Sequence, residues 1–330
     1  MKRYMPLLLA IIIILFVAGC SSDNDTPVSK TGLHMSTVIT ITAYGDNAEE
    51  TLDQAFDEII RLESILSKTL EGSDIYEINE AAGSDVAQLT SETVNVITES
   101  LRYYELSKGY FDFSIGPLVD LWGIGTDHAM VPSDDDLSKA ISKIDLDSLI
   151  FNGDSAGLPE AGMALDVGGI AKGYIADMVA DIIRNSDCTG AVINLGGNVM
   201  TIGQKPDGSK WKVGLQDPFQ TTGSYMEVVE VGEMSVVTSG PYERNFEEND
   251  VVYHHILNPF TGYPIENDIA SVTIISKKSI DGDGLSTSVF AMGKTDGLAL
   301  VESLDNTECY IVFEDGTILM STGFSAYLKD

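Results

Sequence analysis

Cysteine, histidine and positive charge are scarce in this chain. Three Cys, four His and 19 Lys plus Arg stand against 51 Asp plus Glu, a net charge of −32 over 330 residues. Cys20 falls in a leader, so Cys188 and Cys309 alone remain for the folded body. Two cysteines are too few for a disulfide scaffold and too scattered for a zinc site; buried thiols and a single bridge both stay open. A three-histidine zinc centre would consume three of the four histidines. His254 and His255 are adjacent, so in a strand they point to opposite faces and at most one lines a given pocket. A general base or ligand-orienting role, or structural burial, suits them better than a metal triad. The acidic balance excludes nucleic acid and anionic lipid surfaces as partners. An anionic substrate would need a local source of positive charge: a metal ion, a helix N-terminus or particular Lys and Arg side chains.

Several motifs are also missing. There is no G-x-x-x-x-G-K-[ST] loop and no G-x-G-x-x-G. A G-x-S-x-G elbow is absent, and no acid series has EF-hand spacing. No internal repeat or low-complexity segment interrupts the chain. The apolar run Leu7 to Val17 is too short to span a bilayer comfortably. It follows Lys2 and Arg3 and ends in Val17-Ala18-Gly19-Cys20, the layout of a signal peptide closing in a lipobox. Residues 1–19 therefore read as a signal peptide, Cys20 as the lipidated first residue of the mature chain, and residues 20–33 as a flexible tether. A cell-envelope location, lipid-anchored on the extracytoplasmic side, follows. Residues 34–330 form the folded body, long enough for a substantial core.

Met35 to Tyr44 alternates and predicts a strand. Asp46 is placed to cap a helix through Leu52, Phe56, Ile59 and Leu66; Thr90 caps a second through Val94, Ile97 and Leu101, stopped by Gly109. Ser133 with Asp136 resembles a capping box. Strands are predicted at Ala191 to Leu195, Trp211 to Gln216, Met226 to Val231, Met234 to Thr238, Val251 to Leu257 and Ser271 to Ile275. Two short helices, Leu285 to Met292 and Thr295 to Ser303, precede a closing hairpin turning at Asp315-Gly316. The order argues for an α+β fold.

The densest motif is Asp166-Val-Gly-Gly-Ile-Ala-Lys-Gly-Tyr174. An apolar stretch, Met163 to Val167, reads as a strand that enters a helix through a Gly pair, where backbone N–H groups can receive an anion. By itself such a pair can equally be a plain turn. Asp283 and Thr287 lie four apart, so on a helix they share a face and offer hard oxygen ligands suited to Mg²⁺. A helix merely capped by Asp explains the same pair. Tyr110-Phe-Asp-Phe-Ser-Ile-Gly-Pro-Leu118, Asn194-Leu-Gly-Gly-Asn198, Thr238-Ser-Gly240 with Tyr242-Glu-Arg244, and His255-Ile-Leu-Asn-Pro259 with Thr261-Gly262 complete the set.

In that order these segments resemble the ApbE-type FAD:protein FMN transferases, or flavin-trafficking lipoproteins, over nearly the whole mature chain. The resemblance implies an ApbE-like (T-fold-like) body of mixed sheets with flanking helices. It implies FAD as substrate and Mg²⁺ as cofactor, with FMN moved onto a Thr or Ser hydroxyl of a partner flavoprotein and AMP released. That partner would be a subunit of a membrane redox complex or an FMN-binding-domain protein. Asp283, Thr287 and a backbone oxygen at Gly169 would hold the metal. Met35, Tyr110, Phe111, Asp112, Asp166, Lys172 and Ile256 would contact FAD. His255 would activate the acceptor hydroxyl, with Asp283 as the other catalytic residue. Two positions depart: Pro241 and Asn258 stand where the family often has Asp. An FAD pyrophosphatase using water as acceptor, and a lipid-anchored FAD-binding protein without chemistry, are the alternatives.

Overall fold

Residues 26–329 are described by the structure, a computed structural model. Cys20 and the Leu7–Val17 run lie outside them, and no helix among the described residues is long and apolar enough to cross a membrane.

The chain opens with Val28–His34 (β1) and Thr37–Gly45 (β2), a hairpin turning at Met35 and Ser36, both at positive φ. Residues 28–33, read from the sequence as tether, are therefore an edge strand, each paired with β2. Polar alternation in Ser29 and Thr31 hid it. Next come Ala48–Leu66 (α1), Asp74–Glu80 (α2), Ala87–Gln88 (β3), Ser91–Leu106 (α3), Gly116–Trp122 (α4) and Asp134–Ile141 (α5). Asn47, not Asp46, is the N-cap of α1; its side chain makes no capping bond and donates instead to Asp187 Oδ2 at 3.2 Å. Thr90 and Ser133 cap α3 and α5 as expected, accepting from Thr93 N and Asp136 N. Ile150–Phe151 (β4) and Ser155–Gly157 (β5) precede Gly168–Arg184 (α6). Met163 to Val167 is not a strand. Asn79 takes the place of a strand partner by bonding both the N–H (2.7 Å) and the carbonyl (3.0 Å) of Leu165.

Then follow Cys188–Leu195 (β6), Asn198–Gly203 (β7), Trp211–Gln216 (β8), Tyr225–Val231 (β9), Ser235–Ser239 (β10), Asn245–Glu248 (β11), Val251–His254 (β12) and Ile269–Ser276 (β13). The second Gly pair, Gly196 and Gly197, is the two-residue turn between β6 and β7; both have positive φ, which glycine adopts freely. Val251 to Leu257 stops being a strand at His254, because Ile256 and Leu257 turn to meet Ile265 and Pro264. The two helices expected near the end are present as the two parts of Ser279–Glu302 (α7), which break at Gly293 (φ 77°, ψ 180°), the first starting six residues early. Glu308–Phe313 (β14) and Ile318–Met320 (β15) close the fold.

The α+β reading holds, with antiparallel pairing throughout the main sheet. Eight strands stand in the order β1-β2-β6-β7-β10-β13-β14-β15. Period-two alternation sorts their side chains. Ile39, Ile41, Ala43, Ile193, Ile274 and Ile311 face α1, α6 and α7 in the main core. Val236, Tyr310 and Val312 face the opposite way, against the β8–β9 ribbon and Phe324. A smaller cluster joins α4 and α5 around Trp122. Cys188 and Cys309 are free thiols. Three strands separate β6 from β14, about 19 Å at ordinary strand spacing, so no bridge joins them.

Candidate active site

The site grows from the crossing of α6 and α7. The helices run antiparallel, and residues four apart meet in pairs: Gly169 beside Thr287, Gly173 beside Asp283, Asp177 beside Ser279. Contact is close because Gly173 has no side chain. A Cβ there would lie 2.5 Å from the Ser279 carbonyl oxygen and 2.8 Å from Asp283 Cβ. Asp283 is 3% exposed. Its Oδ2 accepts from Gly173 N at 2.8 Å and its Oδ1 lies 3.5 Å from Lys172 Nζ. Burial pushes its pKa up, and the Lys172 charge and the Gly173 amide offset this only in part. Gly173 N is the donor that a regular helix would give to the Gly169 carbonyl, so Asp283 competes with that carbonyl for it. Ser286 and Ser288 fold back onto helix carbonyls, of Asp283 and Gly284. No such bond holds Thr287 among the described residues, and its Oγ1 faces the Gly169 turn.

These donors fit Mg²⁺ by their chemistry: one carboxylate, one hydroxyl and one carbonyl, leaving the other positions of an octahedral ion for phosphate and water. Among the described residues no group of three or more His, Cys, Asp or Glu could hold a metal ion.

Helix α7 has no cap of its own, since its N-cap is Lys278. Asp177 supplies one from α6, accepting from Ser279 N (2.7 Å) and Ile280 N (3.0 Å). Burial raises its pKa to about 6, opposed by those two amide bonds. A carboxyl raised above its unfolded value holds its proton longer in the native state. Native stability therefore falls as pH rises from about 4 to about 6 and is flat above. Asp177→Asn cannot ionise. Between pH 4 and pH 7 its stability, measured by urea unfolding, is expected to gain about 2 kcal/mol relative to wild type. A gap between the two proteins that stays constant with pH would refute this.

The two histidines have opposite assignments. His254 is buried; its Nε2 lies 3.0 Å from the Ile265 carbonyl and its Nδ1 accepts from Ile256 N at 3.3 Å. It is structural. His255 Nδ1 lies 3.2 Å from the Arg244 carbonyl, which can only accept, so Nδ1 carries the proton and Nε2 keeps its lone pair. Enclosure by protein and the nearby Arg244 charge push its pKa down to about 4. It is a neutral base at ordinary pH. Desolvation raises Glu243 to about 7, with Asp283 adding to the shift while Lys172 and Arg244 oppose it. Glu243, Lys172, Asp283 and His255 thus share one electrostatic neighbourhood.

Of the remaining expected residues, Phe111 alone is seen in direct contact with this group. Phe111 packs over Gly169, its ring 3.2 Å from where a Cβ would stand. Tyr110 meets Phe260 edge-to-face at 5.2 Å. Asp166 Oδ1 accepts from Gly168 N at 2.8 Å, and its Oδ2 lies 3.4 Å from Lys68 Nζ. Asp112 turns inward onto Ser114 N and Oγ, and burial raises its pKa. Met35 N donates to Glu63 Oε1, tying its turn to α1 rather than to the α6–α7 group. Ile256 is buried behind His254. Asn258 Oδ1 accepts from Phe260 N and Thr261 N, bonds an aspartate would also make, so this departure keeps the turn.

Sequence reasoning missed Lys68, Asp177 and any role for Glu243. Lys68 lies in no motif. Gly169, Gly173 and Asp177 form one i, i+4, i+8 stripe on α6, but that this stripe meets Thr287, Asp283 and Ser279 of α7 is seen only in the fold.

Known proteins bear on this geometry. The model of the ApbE family matches residues 35–311. FAD:protein FMN transferases of Treponema pallidum and Klebsiella pneumoniae are 33% and 34% identical. The first match covers 89% of this chain and 87% of the relative; the second covers 91% and 93%. The ApbE protein of Thermotoga maritima superposes with TM-score 0.84 at 28% identity, over 92% of this chain and 100% of that one. The flavin transferase ApbE of Vibrio cholerae gives 0.82 at 25% identity, over 92% and 99%.

Proposed function

Because the chain belongs to the ApbE family, we propose that it is an FAD:protein FMN transferase. With Mg²⁺ it moves FMN from FAD onto a Thr or Ser hydroxyl of an acceptor flavoprotein and releases AMP. The observation that carries this reading is the α6–α7 register, which sets Asp283, Thr287 and Lys172 together at the start of α6.

Asp283, Thr287 and the Gly169 carbonyl would hold Mg²⁺, which when bound neutralises charge on the phosphoryl oxygens. Lys172 adds a second positive charge there, needed in so acidic a protein. The acceptor oxygen forms a bond to the FMN phosphorus as the pyrophosphate bond to AMP breaks, and AMP departs with the bridging oxygen. His255 Nε2 takes the acceptor proton; the Arg244 carbonyl keeps the ring in the right tautomer. Phe260, 58% exposed, and the half-buried Tyr110 beside it would present ring surface to the flat parts of FAD, while Phe111 is buried beneath them against Gly169.

Mass spectrometry of a purified apo-flavoprotein after incubation with FAD and Mg²⁺ tests the reading. The acceptor should gain the mass of FMN less water. AMP without that gain means hydrolysis, and neither product means the reading is wrong. We also propose that Cys20 carries a lipid anchor outside the cytoplasmic membrane, from the Val-Ala-Gly-Cys sequence. Radioactive fatty acid should label the wild type and not Cys20→Ser; equal labelling rejects the anchor.

A further inference from the structure

Among the described residues the β11–β12 ribbon pairs only with itself. Its turn, Asn249 and Asp250, has φ of 53° and 64°, the tight geometry that matches strand twist. The root is anchored on both faces. Phe246 and Tyr253 pair across the strands and stack at 5.4 Å, and Tyr253 lies 5.4 Å from Trp122. On the other face His254 is bonded to Ile265. Beyond the root the ribbon is exposed: Val251 by 48%, Val252 by 56%, and Glu247, Glu248 and Asp250 with them. Successive residues alternate faces, so one face presents Val252 opposite Glu247 and the other Val251 opposite Glu248. Residues 245–254 contain three carboxylates and no Lys or Arg.

The ribbon begins one residue after Arg244 and ends one residue before His255, and His255 N donates to the Arg244 carbonyl at 3.1 Å. The general base therefore sits at the foot of an arm about 13 Å long whose outer half stands in solvent. A protein whose hydroxyl reaches His255 Nε2 must cover the ground beside it. We infer that the β11–β12 ribbon is the docking arm for the acceptor protein, which meets it with a basic face surrounding an apolar spot. This inference rests on the transfer reading above. Charge complementarity selects the partner: a neutral or acidic face would desolvate or repel the three carboxylates, whereas a basic one is steered to them. Val251 and Val252 give that encounter apolar area to bury.

The test compares two half-reactions in the full-length protein. The probes are a purified apo FMN-binding-domain flavoprotein as acceptor and, separately, buffer alone. In Glu247→Lys/Glu248→Lys/Asp250→Lys, flavin transfer to that protein is expected to fall at least tenfold, through a raised KM for acceptor. FAD binding and acceptor-free AMP release should stay at wild-type levels. Val251→Ser/Val252→Ser should show a smaller loss of the same kind. Raised salt should slow transfer by the wild type and leave acceptor-free AMP release unchanged. Unchanged transfer in both variants overturns the inference. So does an equal loss of transfer and AMP release, because the ribbon would then act on the base itself. A changed oligomeric state with unchanged transfer also overturns it, assigning the ribbon to contact between copies of this chain. A wild type that never transfers flavin, by contrast, removes the underlying reading.

Discussion

Asp283→Ala is expected to lose Mg²⁺-dependent AMP release from FAD by about a hundredfold or more, whereas Thr287→Ala loses less and recovers as Mg²⁺ is raised. The contrast follows from the donor set. Asp283 is the one charged ligand of the three. Thr287 contributes a neutral oxygen, which water can replace at higher metal concentration. Folding need not suffer, because a buried carboxylate with a raised pKa is itself costly to keep. Thermal unfolding gives a readout that does not depend on turnover. Ligands that bind only the native state raise its melting temperature, so Mg²⁺ with FAD should stabilise the wild type more than Asp283→Ala. If Asp283→Ala turns over FAD normally with Mg²⁺, Asp283 is a structural partner of Gly173 and the metal assignment is wrong.

Much of this site was legible in the sequence, for a physical reason. Asp283 and Thr287 share a helix face by spacing alone, and the Gly pair before Ile170 marks a helix start. What spacing along one helix cannot reveal is which residues of another helix it meets. The Asp177 cap was hidden because a side chain on α6 satisfies the first turn of α7, 102 residues away. Leu165 was misread as strand because an amide side chain from α2 mimics a strand partner. Polar residues on β1 looked like tether because an edge strand with one exposed face needs few apolar side chains. Local pattern failed where the partner was a distant side chain, and at an edge strand whose exposed face carries little apolar signal.

Loss of the base should leave a different signature from loss of the metal ligand. His255→Ala is expected to slow flavin transfer about 10²- to 10⁴-fold, the usual contribution of a positioned general base. It should leave the stabilisation by Mg²⁺ and FAD in place, since His255 is not among the residues assigned to the metal. The pH profile sharpens the assignment. An ordinary histidine, with pKa about 6.5, is about nine-tenths protonated near pH 5.5 and would have lost most of its activity as a base. His255 is pushed down to about 4 by enclosure and by Arg244, so it remains neutral there. Transfer should therefore stay nearly level as pH falls toward about 5 and drop only below that. Glu243 titrates at about 7 in the same neighbourhood and adds charge beside Lys172 as pH rises. Any step near pH 7 should thus disappear in Glu243→Gln while the acid limb persists. An acid limb centred near 6.5 in both proteins would show that His255 is solvated and ordinary, and that the proton is taken elsewhere.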